Sequence, residues 1–176
     1  MHARTNCWNF DHNLLSNLKE LLGLWLPRES QEPVEAAIQS TIDIYVRIQI
    51  DLRPTPSKFH YLFNLRDVSK VVQGLCMVKP VSIGSEELFT KLWVNETFRV
   101  FYDRLINDDD RKWFKDIIIE LMQRNFKQAA DPNDIFVENK IMFGDLLKLD
   151  SPIQYYECIT DKAKLLKILH GGLDEY

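Results

Sequence analysis

Apolar residues along most of this chain recur at intervals of three and four, the repeat of a helix with one buried face. From Asp11 to Trp25 the leucines Leu14, Leu15, Leu18, Leu21 and Leu22 form such a stripe, which Pro27 ends. Between Glu32 and Leu52, Val34, Ala37, Ile38, Thr41, Ile42, Tyr45 and Ile48 trace a longer one, with Pro33 suited to a first-turn position. The run Arg53 to Pro56, RPTP, stops it, because each proline removes a backbone donor and pushes its predecessor toward extended geometry.

A third helix is predicted to start after Asn64, with Leu65, Val68, Val72, Leu75 and Cys76 inward; Lys79-Pro80 and Gly84 end it in a loop. Asn64 is a favourable N-cap and Asp67, three residues on, completes a capping-box arrangement. Ser85 caps a fourth helix carrying Leu88, Phe89, Leu92, Trp93, Val100, Phe101 and Leu105. Asn107 to Asp110, NDDD, restarts the chain with acids at a helix N-terminus, where the dipole favours them. The fifth helix then presents Trp113, Phe114, Ile117, Ile118, Leu121, Met122 and Phe126.

From Ala129 to Ile159 the period fades and Pro132, Gly144 and Pro152 punctuate a loop-rich segment, with one short helix expected around Gly144 to Leu149. Asp161 caps a last helix, expected to turn Leu165, Leu166, Leu169 and Leu173 inward, although Gly171-Gly172 weakens its second half. With no repeat or low-complexity tract, the pattern describes one all-α, multi-helix domain with a loop-rich segment before its last helix. Residues 1–30 are expected to form a helical extension to it.

Composition narrows the chemistry. An apolar fraction of 45% over 176 residues suits a packed domain. A formal charge of −4 gives no reason to expect a nucleic-acid partner, whose phosphates call for clustered Lys and Arg. Cys7, Cys76 and Cys158 are far apart and unaccompanied by ligand spacings, which suggests reduced structural thiols in an intracellular protein rather than a zinc site or a disulfide framework. The first ten residues lack the apolar core of a signal peptide. No run approaches the ~18 apolar residues of a membrane span, so no membrane contact is expected.

Tests for catalytic motifs are negative. A P-loop needs glycines that bare backbone N–H groups to phosphate and a Gly-Lys pair, and no glycine here precedes a lysine. Asp116 to Leu121, DIIIEL, has the apolar run and acid of a magnesium-binding strand end, but fits the helical period of its neighbours. Asp131 and Asn133 could open a calcium loop, yet Ile135, Phe136 and Met142 occupy its next required positions. His2, His12, His60 and His170 are isolated and none lies in an HExxH pattern, so neither a metal nor a catalytic triad is supported.

Two polar features interrupt the stripes. Glu96 falls between Trp93 and Val100, so it must be at least partly buried and needs a cationic or donor partner, with Arg99 the nearest candidate. The pair reads either as an ion pair that fixes helix register or as a coupling element toward a neighbouring module. Arg66, in the first turn of its helix, is a cation where the dipole prefers an anion. It reads either as a surface arginine, solvated or paired with Asp67, or as part of an anion site made with the positive helix end.

The stretches RPTPSKFHYLFNLRDVSKVVQGL (Arg53 to Leu75) and LWVNETFRVFYDRLINDDDRKWF (Leu92 to Phe114) closely resemble the C-terminal helical lid of the third AAA+ module of dynein heavy chains of the axonemal type. Asn95 stands where that family usually has histidine. Weaker agreement through IMFGDLL (Ile141 to Leu147) and the last 22 residues resembles the linker into the fourth module, so the lid and linker take up residues 31–176. Residues before Pro27 do not match.

The resemblance implies that Arg66 is a sensor-2-like residue near the phosphates of ATP or ADP with magnesium held by a large domain outside this chain. It implies further that this chain alone binds no cofactor and is not an enzyme, its parent motor being the ATPase. The partners implied are the large AAA+ domain, adjacent ring modules, the dynein complex and, through the parent, microtubules, in the cytoplasm and cytoskeleton of a cilium or flagellum axoneme. A stand-alone helical scaffold is the alternative. Either way, a lid cut from its large domain exposes a docking face and is expected to self-associate.

Overall fold

The computed structural model describes residues 31–78, 83, 85–127, 141–145 and 156–174. The stripe at residues 11–25 therefore lies outside the described residues. Helix α1 (Gln31–Asp51) packs against α2 (Leu65–Met77), α3 (Glu86–Val100) and α4 (Asp108–Asn125). Helix α2 also packs against α3. A two-residue antiparallel ladder, β1 (Phe143–Gly144) with β2 (Glu157–Cys158), and helix α5 (Lys162–Asp174) complete the described chain.

The core lies where the four stripes meet. Ala37, Ile38, Ile44 and Ile48 of α1, Val68 and Val71 of α2, Leu92 and Trp93 of α3, and Phe114, Ile118 and Leu121 of α4 are buried. Burial of that many large apolar side chains, each contributing roughly 1.5–3 kcal/mol, is the main force holding the helices together. Trp93 and Thr41 satisfy each other's polar atoms across the core. Trp93 Nε1 donates to Thr41 Oγ1 at 2.9 Å, and Thr41 donates in turn to the Ala37 carbonyl at 2.7 Å. Outside the core, Arg47 bonds Glu120 through both terminal nitrogens and Arg124 bonds Asp43, tying α1 to α4 at the surface.

Three sequence expectations change. The fourth predicted helix ends at Val100 and a 3₁₀ turn, Tyr102–Arg104, follows, which still places Leu105 in the core. The short helix expected around Gly144 is not what forms there: Gly144 pairs with Glu157 in the ladder, and residues 146–149 lie outside the described residues. Phe143, opposite Cys158, takes its partner from about fifteen residues away, a contact invisible to local periodicity.

The last helix begins as read, with Asp161 Oδ1 accepting the Lys164 N–H at 3.0 Å. Only Leu165 of its stripe is buried, however, while Leu166, Leu169 and Leu173 are 55%, 45% and 70% exposed. Their spacing makes an amphipathic helix, but nothing in the described chain covers that face.

Candidate functional site

The N-terminus of α2 is built by reciprocal capping. Asn64 Oδ1 accepts the Arg66 N–H at 2.9 Å, and the Asp67 carboxylate accepts the Asn64 N–H at 3.0 Å. Both residues thus turn inward on backbone groups. Arg66 is exposed, and no side-chain hydrogen bond or ion pair to it occurs among the described residues. Its own amide is taken by Asn64, so an anion arriving there would meet chiefly the guanidinium.

Asp67 does not pair with Arg66. It is 2% exposed, and Arg104 grips it from the 3₁₀ turn with Nη2 2.6 Å from Oδ1 and Nη1 3.2 Å from Oδ2. Lys70 adds a contact of 3.3 Å. Burial pushes the Asp67 carboxyl up, but the Arg104 fork, the Asn64 amide and Lys70 together hold it below its ordinary value. Arg104 also lies over the Phe63 ring and donates to the Leu62 carbonyl.

The segment entering α2 is clamped to the start of α4. Tyr61 Oη donates to Asp110 at 2.9 Å and accepts the Ile106 N–H at 3.0 Å, while Lys58 reaches the same Asp110 oxygen at 2.5 Å. Phe59, Leu62 and Ile106 remain 74%, 66% and 52% exposed on and beside this segment.

Glu96 occupies the middle of α3 and is fully buried. Its Oε1 accepts from Tyr156 Oη at 2.5 Å and from Asn95 Nδ2 at 3.0 Å. Arg99 Nη2 stands 3.0 Å from Oε2, close enough for ionic attraction but outside hydrogen-bond geometry, so Oε2 is a buried oxygen without a hydrogen bond. Asn95, where the dynein pattern has histidine, supplies a side-chain donor to the carboxylate. Burial, with Glu96 beside it, raises the Tyr156 phenol well above its ordinary value, so it stays protonated and donates.

Helix α2 makes room for this carboxylate through Gly74. A Cβ there would lie 2.0 Å from Glu96 Oε2 and 2.8 Å from its Cγ.

Arg104, Tyr61, Gly74 and Tyr156 therefore belong to the site although the sequence reading did not single them out. Arg104 stood inside the quoted DRL stretch, and a lone glycine in a helical stripe is itself a signal of close approach. Tyr156 left no local sign. Cys76 and Cys158 are free and partly buried, and burial raises both thiols. Among the described residues no cluster of His, Cys, Asp and Glu could hold a metal ion, and no helix is long and apolar enough to cross a membrane.

Residues 37–136 match the AAA+ lid domain family. Over 142 residues the chain is 37% identical to mouse dynein axonemal heavy chain 1, an alignment covering 81% of this chain and 3% of that protein. It is 34% identical to human dynein axonemal heavy chain 6 over 171 residues, covering 94% of this chain and 4% of that protein. Mouse dynein axonemal heavy chain 3 is 38% identical over 149 residues, covering 79% and 4% respectively. The chain thus spans a few per cent of the length of these relatives. With four packed helices, a capped α2 and these alignments, the chain belongs to the AAA+ lid domain family, in the form carried by axonemal dynein heavy chains.

Proposed function

We propose that this chain is the helical lid of the third AAA+ module of an axonemal dynein heavy chain and that Arg66 reports on nucleotide held by the module's large domain. The observation that carries the reading is the division of labour at the α2 N-terminus. Asp67 and Asn64 are consumed in capping and in the Arg104 fork, which leaves the Arg66 guanidinium exposed, with no side-chain partner among the described residues. An exposed guanidinium fixed on a capped helix suits a phosphate oxygen.

ATP or ADP with magnesium would be bound by the large domain, with Arg66 supplying charge to the terminal phosphates. The chain alone neither hydrolyses ATP nor binds it tightly in this reading. Phe59, Leu62 and Ile106, exposed along the clamped segment, suit the face that docks on the large domain. The Glu96–Tyr156 bond links α3 to the ladder that precedes α5, a route by which lid position can pass to the next ring module. The motor built from such modules would drive microtubule-based movement in the axoneme of a cilium or flagellum.

Turnover measured with the purified chain tests this. The expected result is no ATP hydrolysis; robust hydrolysis lost in Arg66→Ala would sink it. In the whole motor, Arg66→Ala is expected to weaken nucleotide binding at this module about tenfold, as loss of one charge-assisted contact would.

A second reading, a scaffold that binds a partner helix, is favoured by one observation, the exposed Leu166, Leu169 and Leu173 face of α5. Both readings expect the isolated chain to self-associate through uncovered apolar surface. A clean monomer at high concentration in sedimentation would count against that.

A further inference from the structure

A groove of about 270 Å³ opens between α2 and α3 on the side of Glu96 and Asp67 that faces water. Lys70, Gln73, Gly74 and Met77 line it from α2, Arg99 and Val100 from α3, and Arg104 from the 3₁₀ turn. Three cations thus ring one small space. Beneath them lie two buried carboxylates, Asp67 and Glu96, 2% and 0% exposed. One positive charge is left uncompensated among these five groups.

All but one of the acceptors below are already committed, the exception being Glu96 Oε2, which has the Arg99 charge beside it but no hydrogen bond among the described residues. Asp67 takes Arg104, Lys70 and the Asn64 amide, and Glu96 Oε1 takes Tyr156 and Asn95. The cations are not consumed to the same degree. Lys70 and Arg99 are 49% and 54% exposed, and each has several N–H donors for the one carboxylate contact it makes among the described residues. Arg99, moreover, meets Glu96 outside hydrogen-bond geometry, so among the described residues its donors remain available to an acceptor in the groove.

We propose that this groove receives a single carboxylate, the acidic side chain of a protein partner, laid between Arg99 and Lys70. Three features select that ligand. The lone excess charge matches a monoanion, whereas a phosphate dianion would overshoot it. The space, about 270 Å³ and open to water, is ample for one acidic side chain and the residues next to it. Met77, half exposed, and Val100 give apolar walls for the side chain's methylene groups or an adjacent hydrophobic residue. The inference rests on this groove alone and stands apart from the role given to Arg66.

The test is a titration of the isotope-labelled full chain, followed through the side-chain N–H resonances of Arg99 and Arg104. The probes are acetyl-leucyl-glutamyl-leucinamide, its glutaminyl counterpart and inorganic phosphate. The glutamyl peptide is expected to shift these resonances saturably and to bind about fivefold or more tighter than the glutaminyl one, the advantage shrinking in high salt.

Lys70→Gln should lower that affinity severalfold, whereas Lys112→Gln, the same charge change at an exposed site outside the groove, should leave it unchanged. Lys70→Gln leaves Asp67 with its Arg104 fork, so the fold survives the substitution. Equal binding of the two peptides, equal effects of the two variants, or larger shifts with phosphate at the same concentration would each overturn the proposal.

Discussion

Asp67 and Glu96 are both buried carboxylates on neighbouring helices, yet the chain satisfies them in opposite ways. Asp67 sits at a helix start, where a backbone amide, a forked arginine and a lysine fill its acceptor positions. Glu96 sits in mid-helix, where neighbouring amides are spent on the helix itself. It depends on a tyrosine from 60 residues away, an adjacent asparagine and the missing side chain of Gly74. A carboxylate at a helix end can be supported by local backbone, whereas one in the middle requires tertiary partners.

Breaking the Glu96 side should have the largest effect. Gly74→Ala drives a methyl into Glu96, which is enclosed and tied to Tyr156, and is expected to cost about 3 kcal/mol in denaturant unfolding. In a Glu96→Ala background the same change should cost less than about 1 kcal/mol, because the clash is gone. Additive losses in that cycle would show that the two residues are not in contact.

Arg104→Ala comes next, at about 2 kcal/mol. It takes the forked partner from a buried charge, but Lys70 and the Asn64 amide remain. Tyr156→Phe should cost about 1.5 kcal/mol, the range for a hydrogen bond to a charged group, with the loss absent when Glu96 is already alanine.

Acid titration sharpens the Asp67 side. Its folded carboxyl lies below the ordinary value of 3.8, so its contribution to stability is complete above that pH and is lost as pH falls from there through the folded value. Unfolding followed between pH 5 and pH 2 should show this loss in the parent chain. It should be reduced in Asp67→Asn. Arg66→Ala should do least, within about 0.5 kcal/mol of the parent, because an exposed arginine without a side-chain partner among the described residues supports no packing. A larger loss would mean that Arg66 is structural, and would remove the reason to reserve it for nucleotide.

The helices were legible because burial on one face leaves a period of three and four in the sequence, and their starts because Asn64, Ser85 and Asp161 announce caps that form with Arg66, Leu88 and Lys164 amides. Glu96 could be recognised as a buried carboxylate from its place in the stripe. The α5 leucines misled: periodicity states that a helix has an apolar face, not that this chain contains what covers it.

By itself, then, the sequence determined the five helices of the described chain, where they begin, and that Asn64 and Asp67 cap α2, since each depends on residues within one turn of one another. Only the tertiary structure decided that Asp67 belongs to Arg104 and not to Arg66, that Glu96 is held by Tyr156 against Gly74, and that Phe143 pairs with Cys158. Those contacts join residues from about fifteen to sixty positions apart. They form when the buried faces of the helices pack and fix which distant side chains can meet, information that no local period carries.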